Sequence, residues 1–171
     1  MGHQEQAEIE QTFKKLHKYV NPSLADVFNF MGFGTIEDHA EGSLVWDIEG
    51  ARFIDCLGGF GVFALGHSHP KVIEAVREQL GKMPLSSKLM YCKPQADLAE
   101  ALAEVMPGGL QYTFFCNSGT EAVEGALKIA RMASGKPQII STKGAFHGKT
   151  LGSLSASGRE KYKDPRSEEH T

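Results

Sequence analysis

Residues 110 to 121 read Leu110-Gln111-Tyr112-Thr113-Phe114-Phe115-Cys116-Asn117-Ser118-Gly119-Thr120-Glu121. Tyr112 to Cys116 is a short continuous apolar run of the kind that suits a strand buried on both faces of a parallel sheet. Val123, Ala126, Leu127 and Ala130 then recur at helical spacing over residues 119 to 133, and Gln138 to Thr142 is rich in β-branched residues again. Strand, helix, strand is a βαβ crossover. Its expected right-handedness implies an α/β layered domain.

The join between that first strand and its helix carries Ser118-Gly119-Thr120. A helix N-terminus leaves its first amides without intrahelical acceptors and adds the positive end of the helix dipole, so a Ser-Gly-Thr corner placed there suits a phosphate. Gly119 permits close backbone approach. The plainer alternative is that Ser118 only caps the helix. One crossover later comes Lys143-Gly144-Ala145-Phe146-His147-Gly148-Lys149, expected to leave the second strand on the edge of the sheet where α/β ligands bind. An aromatic ring held there between glycines can stack on a flat ligand. The alternatives are a core role for Phe146 and a hydrogen-bonded loop imidazole for His147.

Upstream, Ile9, Phe13, Leu16 and Val20 predict an amphipathic helix over residues 4 to 20, ending at Asn21-Pro22. Residues 43 to 48 and 51 to 56, separated by Glu49-Gly50, suggest a hairpin. The series Gly58, Gly59, Gly61 and Gly66 marks an irregular, tightly turning segment. Pro70 opens a helix striped by Ile73, Val76 and Leu80, and Pro94 opens another striped by Leu98, Leu102 and Val105, which breaks at Pro107-Gly108-Gly109. The expected division is residues 1–90 (helix, hairpin and glycine-rich segment), 91–165 (the βαβ unit) and a tail, 166–171.

Composition narrows the function classes. With 41% hydrophobic and 23% charged residues over 171 positions, the chain has a globular composition. A formal net charge of -3 supplies no broad electropositive field, so nucleic acid and acidic membrane are not expected partners. No apolar run approaches the ~20 residues of a membrane span, and residues 1 to 21 lack a signal-peptide apolar stretch, which makes the cytoplasm the default expectation. Cys56, Cys92 and Cys116 are odd in number and far apart. They are expected as reduced, mostly buried thiols rather than a disulfide framework or zinc cluster. His67-Ser68-His69 has no nearby Cys or carboxylate partner in sequence and is expected to play a structural loop role, with no metal bound.

The run from Asp47 to Asp55, Leu57-Gly58-Gly59-Phe60-Gly61 leading to Leu65-Gly66-His67-Ser68-His69-Pro70, the Asn117-Ser118-Gly119-Thr120-Glu121 corner and the Gly144-Ala145-Phe146-His147-Gly148 loop together resemble the class III aminotransferases, in the family's order and spacing, over roughly residues 42 to 165. The resemblance implies an α/β, fold-type-I enzyme dependent on pyridoxal 5'-phosphate and built as a homodimer or higher oligomer. By the match, Ser118, Gly119 and Thr120 hold the cofactor phosphate, Phe146 stacks on its ring and His147 belongs to the same loop. The protein's part is positioning and electrostatics, while the ring takes up electrons from the substrate.

Ile54-Asp55-Cys56-Leu57-Gly58-Gly59-Phe60-Gly61 and Phe146-His147-Gly148-Lys149 look closest to putrescine aminotransferases. Acetylornithine and ornithine enzymes tend to have arginine at the position of Lys149, where it grips a carboxylate in a bidentate fork that lysine cannot reproduce. Lys149 is therefore read as substrate-binding. The expected reaction moves an amino group from a primary amine, putrescine foremost, to a 2-oxo acid. Acetylornithine, ornithine and 4-aminobutyrate are the alternative donors, and a non-catalytic cofactor-binding fragment is the alternative from another class. The family's covalent lysine and the aspartate that pairs with the pyridine nitrogen fall downstream of these residues, so no catalytic residue is assigned and the chain alone is expected to be inactive. Arg166-Ser167-Glu168-Glu169-His170-Thr171 resembles no family segment and reads as an artefactual tail.

Overall fold

The apolar runs on either side of Glu49-Gly50 do pair. In the computed structural model, which describes residues 2–159 and Lys163, β2 (Leu44–Asp47) and β3 (Arg52–Ile54) form an antiparallel hairpin in which Leu44 faces Ile54 and Trp46 faces Arg52. Asp47 organises the turn. Its carboxylate accepts the amides of Glu49 at 3.0 Å and Ala51 at 2.8 Å, and the Thr35 hydroxyl at 3.2 Å. Those bonds account for a buried carboxylate at this position.

A third strand, β1 (Glu37–Glu41), pairs antiparallel with β2 and makes the order β1-β2-β3 among the described residues. Its composition, Glu-Asp-His-Ala-Glu, carries no strand signal. Pairing supplies it: His39 faces Trp46 across the ladder and their rings stack at 4.7 Å.

This sheet lies in the first of two compact units, residues 1–87 and 88–171. The first unit opens with α1 (His3–Tyr19) and α2 (Pro22–Phe30). The chain stops being helical at Asn21-Pro22, as the proline requires, and starts again at once. Asn21 caps the new helix by accepting the Leu24 amide at 3.0 Å, with Pro22 in its first turn. After the hairpin, a 3-10 turn (Gly58–Gly61) passes through left-handed conformations at Gly58, Gly59 and Phe60. Phe60 is a β-carbon residue at φ 56, a conformation such residues rarely adopt. α3 (Pro70–Lys82) closes the unit.

The second unit contains α4 (Lys93–Val105), α5 (Gly119–Ser134) and the short α6 (Leu151–Ala156). α5 is the helix expected between the two parallel strands, and it ends at Gly135, in the left-handed conformation that glycine tolerates. The strands themselves differ from expectation. Neither 112–116 nor 138–142 belongs to a hydrogen-bonded sheet among the described residues. A parallel strand exists only through its neighbours, and here Tyr112 is 100% and Ile140 99% exposed, with no strand alongside either segment. The Phe114 ring lies over Gly125 of α5, where a side-chain carbon would stand 3.1 Å from it.

The cysteines also correct the sequence reading. All are free, but Cys56 and Cys116 are exposed and Cys92 is half-buried. Cys116 ends the unpaired 112–116 segment, and its thiol donates to Ser118 O at 3.5 Å. The tail 166–171 and Asp164-Pro165 lie outside the described residues.

Candidate functional site

Ser118 stands at the N-cap of α5 in extended conformation. Its hydroxyl accepts the Glu121 amide at 3.3 Å, while the Glu121 carboxylate takes the amides of Asn117 at 2.6 Å and Ser118 at 3.1 Å. This reciprocal capping box satisfies the outer amides of the corner. The amides of Gly119 and Thr120, first in the helix, have no intrahelical acceptor to reach. A side-chain carbon placed on Gly119 would meet nothing within 4 Å. The Gly119 side of the corner is therefore open, and the helix dipole favours an anion at this terminus.

The Thr120 hydroxyl reaches into the second motif. Its hydroxyl is hydrogen-bonded to Ser153 Oγ at 2.6 Å and to Thr150 Oγ1 at 2.9 Å. The segment that holds those partners is closed on itself. Gly144 N donates to Gly158 O at 3.2 Å and Gly158 N returns to Ala145 O at 2.8 Å. His147 N donates to Ser157 Oγ at 3.0 Å, and Ser157 Oγ donates to Ser153 O at 3.0 Å. Ser153 and Ser157 are wholly buried, so the centre of this segment is polar and fully hydrogen-bonded rather than greasy. Gly158 has to be glycine, because a side-chain carbon there would overlap Thr142 O and stand 2.8 Å from Gly144 N.

The structure thus brings Thr120 onto the loop that carries Phe146, His147 and Lys149. Phe146 is 55% exposed, which removes it from the core and leaves its ring presented at the surface of this unit. His147 is half-buried and held by its backbone amide, whereas Lys149 is exposed. Ser118 is engaged with Glu121 rather than with this loop.

Sequence reading missed Glu124. One turn along α5 from Thr120, its Oε1 accepts the Thr150 hydroxyl at 2.6 Å and the amides of Gly152 at 2.8 Å and Ser153 at 3.1 Å. The Thr150 hydroxyl first, and then the Ser153 amide, hold its carboxyl below the ordinary glutamate range, against a smaller opposing effect of burial. The signal was in the spacing: Thr120 and Glu124 are i and i+4, on one face of one helix.

In the first unit, His67 is not a bare loop histidine. Its Nε2 donates to Asp55 Oδ2 at 2.7 Å, and Asp55 Oδ1 accepts the amides of Leu57 at 2.8 Å and Gly58 at 2.9 Å. His67 in turn exchanges backbone hydrogen bonds with Gly42. Among the described residues no group of three or more His, Cys, Asp or Glu side chains is placed to hold a metal ion.

The donor set of the α5 corner fits a phosphate: two amides of the first helical turn, an open glycine face and a helix dipole of the right sign. Comparison with known proteins gives the family. The family model of the class-III aminotransferases matches residues 31–169. An (S)-enantioselective omega-transaminase from Thermomicrobium roseum is similar at 32% identity and a TM-score of 0.78, over 92% of this chain and 37% of that one. The omega transaminase of Pseudomonas jessenii, solved in complex with PMP, is similar at 30% identity and a TM-score of 0.76, over 92% of this chain and 36% of that one. A transaminase from the marine bacterium Virgibacillus is similar at 30% identity and a TM-score of 0.72, over 77% of this chain and 32% of that one. The chain therefore spans about a third of these relatives' length. The shared architecture is α/β, that of a fold-type-I transaminase over part of its length. With the family's pattern running through both the corner at Ser118 and the loop at Phe146, the chain belongs to the class-III aminotransferases.

Proposed function

We propose that these residues form the amino-terminal part of a pyridoxal 5'-phosphate-dependent aminotransferase, in which the α5 corner holds the cofactor phosphate and the 144–150 loop meets its ring. The observation that carries this reading is the direct bonding of Thr120 to Thr150 and Ser153, which ties an anion-binding helix terminus to an aromatic-bearing loop in one polar unit. Gly119 and Thr120 offer amides, Ser118 offers a hydroxyl, Phe146 offers a flat face and His147 shapes the loop. Bound there, the cofactor supplies an electron sink for bonds broken at the substrate's amine-bearing carbon. The lysine that bonds the cofactor covalently belongs, in this reading, to the part of the parent protein beyond these residues, so residues 1–171 alone are inactive.

The donor we favour is a diamine of the putrescine type, with a 2-oxo acid as acceptor. Lys149 supports it, since a lysine presents a point charge where a carboxylate-bearing donor is better served by the planar fork of arginine. Acetylornithine, ornithine and 4-aminobutyrate are the competing donors. We place the parent in the cytoplasm as a homodimer or higher oligomer, in keeping with the family resemblance. None of the described helices is long and apolar enough to cross a membrane.

The test is an absorbance titration of the cofactor-free parent protein with pyridoxal 5'-phosphate, followed by amine-transfer assays with the four donors. Ser118→Ala is expected to weaken cofactor binding by about 1.5–3 kcal/mol, the scale of one hydrogen bond to a charged group. A parent protein that binds no cofactor, or a Ser118→Ala variant that binds it unchanged, would overturn the assignment of the corner.

A further inference from the structure

The side chain that governs the geometry between the two motifs is one that neither motif contains. Glu124 emerges from α5 one turn after Thr120 and reaches across to the start of α6, where a single oxygen collects the Thr150 hydroxyl and the amides of Gly152 and Ser153. Gly152 leaves room for it: a side-chain carbon on that residue would overlap Glu124 Oε2. Gly148 does the same for Thr120, because at φ 120 its missing side-chain carbon would stand 2.6 Å from Thr120 Cβ and 2.8 Å from Ser153 Oγ. Two glycines and a carboxylate thus lock the loop against the first two turns of α5.

The chemistry of the bonds adds a direction. An ionised carboxylate only accepts, so Thr150 must give its proton to Glu124. Thr150 then has no proton left for Thr120, and the 2.9 Å contact between them requires Thr120 to donate. Ser153 Oγ donates to Thr150 O at 3.2 Å, so in its 2.6 Å contact with Thr120 it accepts. Thr120 Oγ1 is therefore the donor in both contacts, its proton shared between Thr150 and Ser153. A phosphate oxygen is a better acceptor than either neutral hydroxyl, so an anion at the corner would draw on that proton.

We propose that Glu124 is a positioning residue of the cofactor site: without touching the cofactor, it sets Thr120 as a donor through Thr150 and pins the loop that carries Phe146 and Lys149. The inference rests on the reading of the α5 corner as the phosphate site of pyridoxal 5'-phosphate.

The test is the affinity of the cofactor-free parent protein for pyridoxal 5'-phosphate, read by absorbance titration, with thermal melts as a control for folding. Glu124→Ala is expected to weaken binding by about tenfold, the equivalent of one hydrogen bond. Glu124→Gln, which keeps an acceptor oxygen for Thr150 and the two amides, is expected to restore most of that loss. In a Thr120→Val background the effect of Glu124→Ala is expected to shrink to less than half, because the two residues act on one hydroxyl. If Glu124→Ala does not fold, Thr150→Ala against Thr150→Ser carries the same comparison from the other end of the bond, with loss expected for alanine and rescue for serine. Additive effects of Glu124→Ala and Thr120→Val, a Gln variant as weak as Ala, or unchanged binding in both series would overturn the positioning role while leaving the phosphate site standing. A wild-type parent that binds no pyridoxal 5'-phosphate would overturn both.

Discussion

A side-chain carbon on Gly148 would lie on top of the Thr120 hydroxyl, although the two residues belong to different motifs. Gly148 also sits at φ 120, outside the range that residues with a β-carbon adopt comfortably. Both constraints act on one position. Gly148→Ala is expected to destabilise the parent protein by about 1–3 kcal/mol through backbone strain and overpacking. It is also expected to weaken cofactor binding, because Thr120 has to move. Denaturant melts and a cofactor titration of the same variant check both, and a neutral Gly148→Ala would show that the loop does not press on α5.

The Asp55–His67 pair makes a prediction about acid. His67, then the amides of Gly58 and Leu57, hold the Asp55 carboxyl below its ordinary range. A depressed folded-state pKa contributes stability that is present above the unfolded value, about 3.9 for aspartate, and is lost as pH falls through the folded one. Hydrogen-exchange protection of Leu57 and Gly58 is therefore expected to hold at neutral pH and to fall on acidification below pH about 4. Asp55→Ala should remove about tenfold of that protection already at neutral pH, and Asp55→Asn less, since its amide oxygen still accepts. Equal protection in all three proteins would mean that the glycine turn is held by something else.

Phe146→Ala is expected to lower the affinity of the parent for pyridoxal 5'-phosphate by about 0.5–1.5 kcal/mol and to shift the bound cofactor's absorbance, as the loss of an aromatic stacking partner does. Phe146→Tyr should be mild. Titration and spectrum together decide it, because a purely steric effect would change the affinity and leave the spectrum alone.

Lys149→Arg is expected to raise the ratio of kcat/KM for acetylornithine to that for putrescine, on the order of tenfold, by restoring a bidentate carboxylate partner. An unchanged ratio would remove the reason for favouring a diamine.

What the residues determined alone is local. Helices α1, α3, α4 and α5 were legible because an amphipathic stripe and its proline or glycine punctuation lie within one segment, and the hairpin because Glu49-Gly50 separates two β-prone runs. The corner at Ser118 was legible for the same reason, since cap, glycine and helix follow one another in the chain. β1 was not, because Glu37–Glu41 becomes a strand through β2 and the stacking of His39 on Trp46. The apolar pattern of Tyr112 to Cys116 and Gln138 to Thr142 states that these residues seek burial, but strand pairing is a property of neighbours, and no described strand flanks them. Nor did spacing single out Asp55, twelve positions from the His67 it holds. Only the tertiary structure decided the role of Glu124, twenty-six positions from the Thr150 hydroxyl it accepts. A carboxylate becomes a positioning group by the donors that folding brings to it, and here those donors arrive from a loop that closes on itself before it reaches the helix.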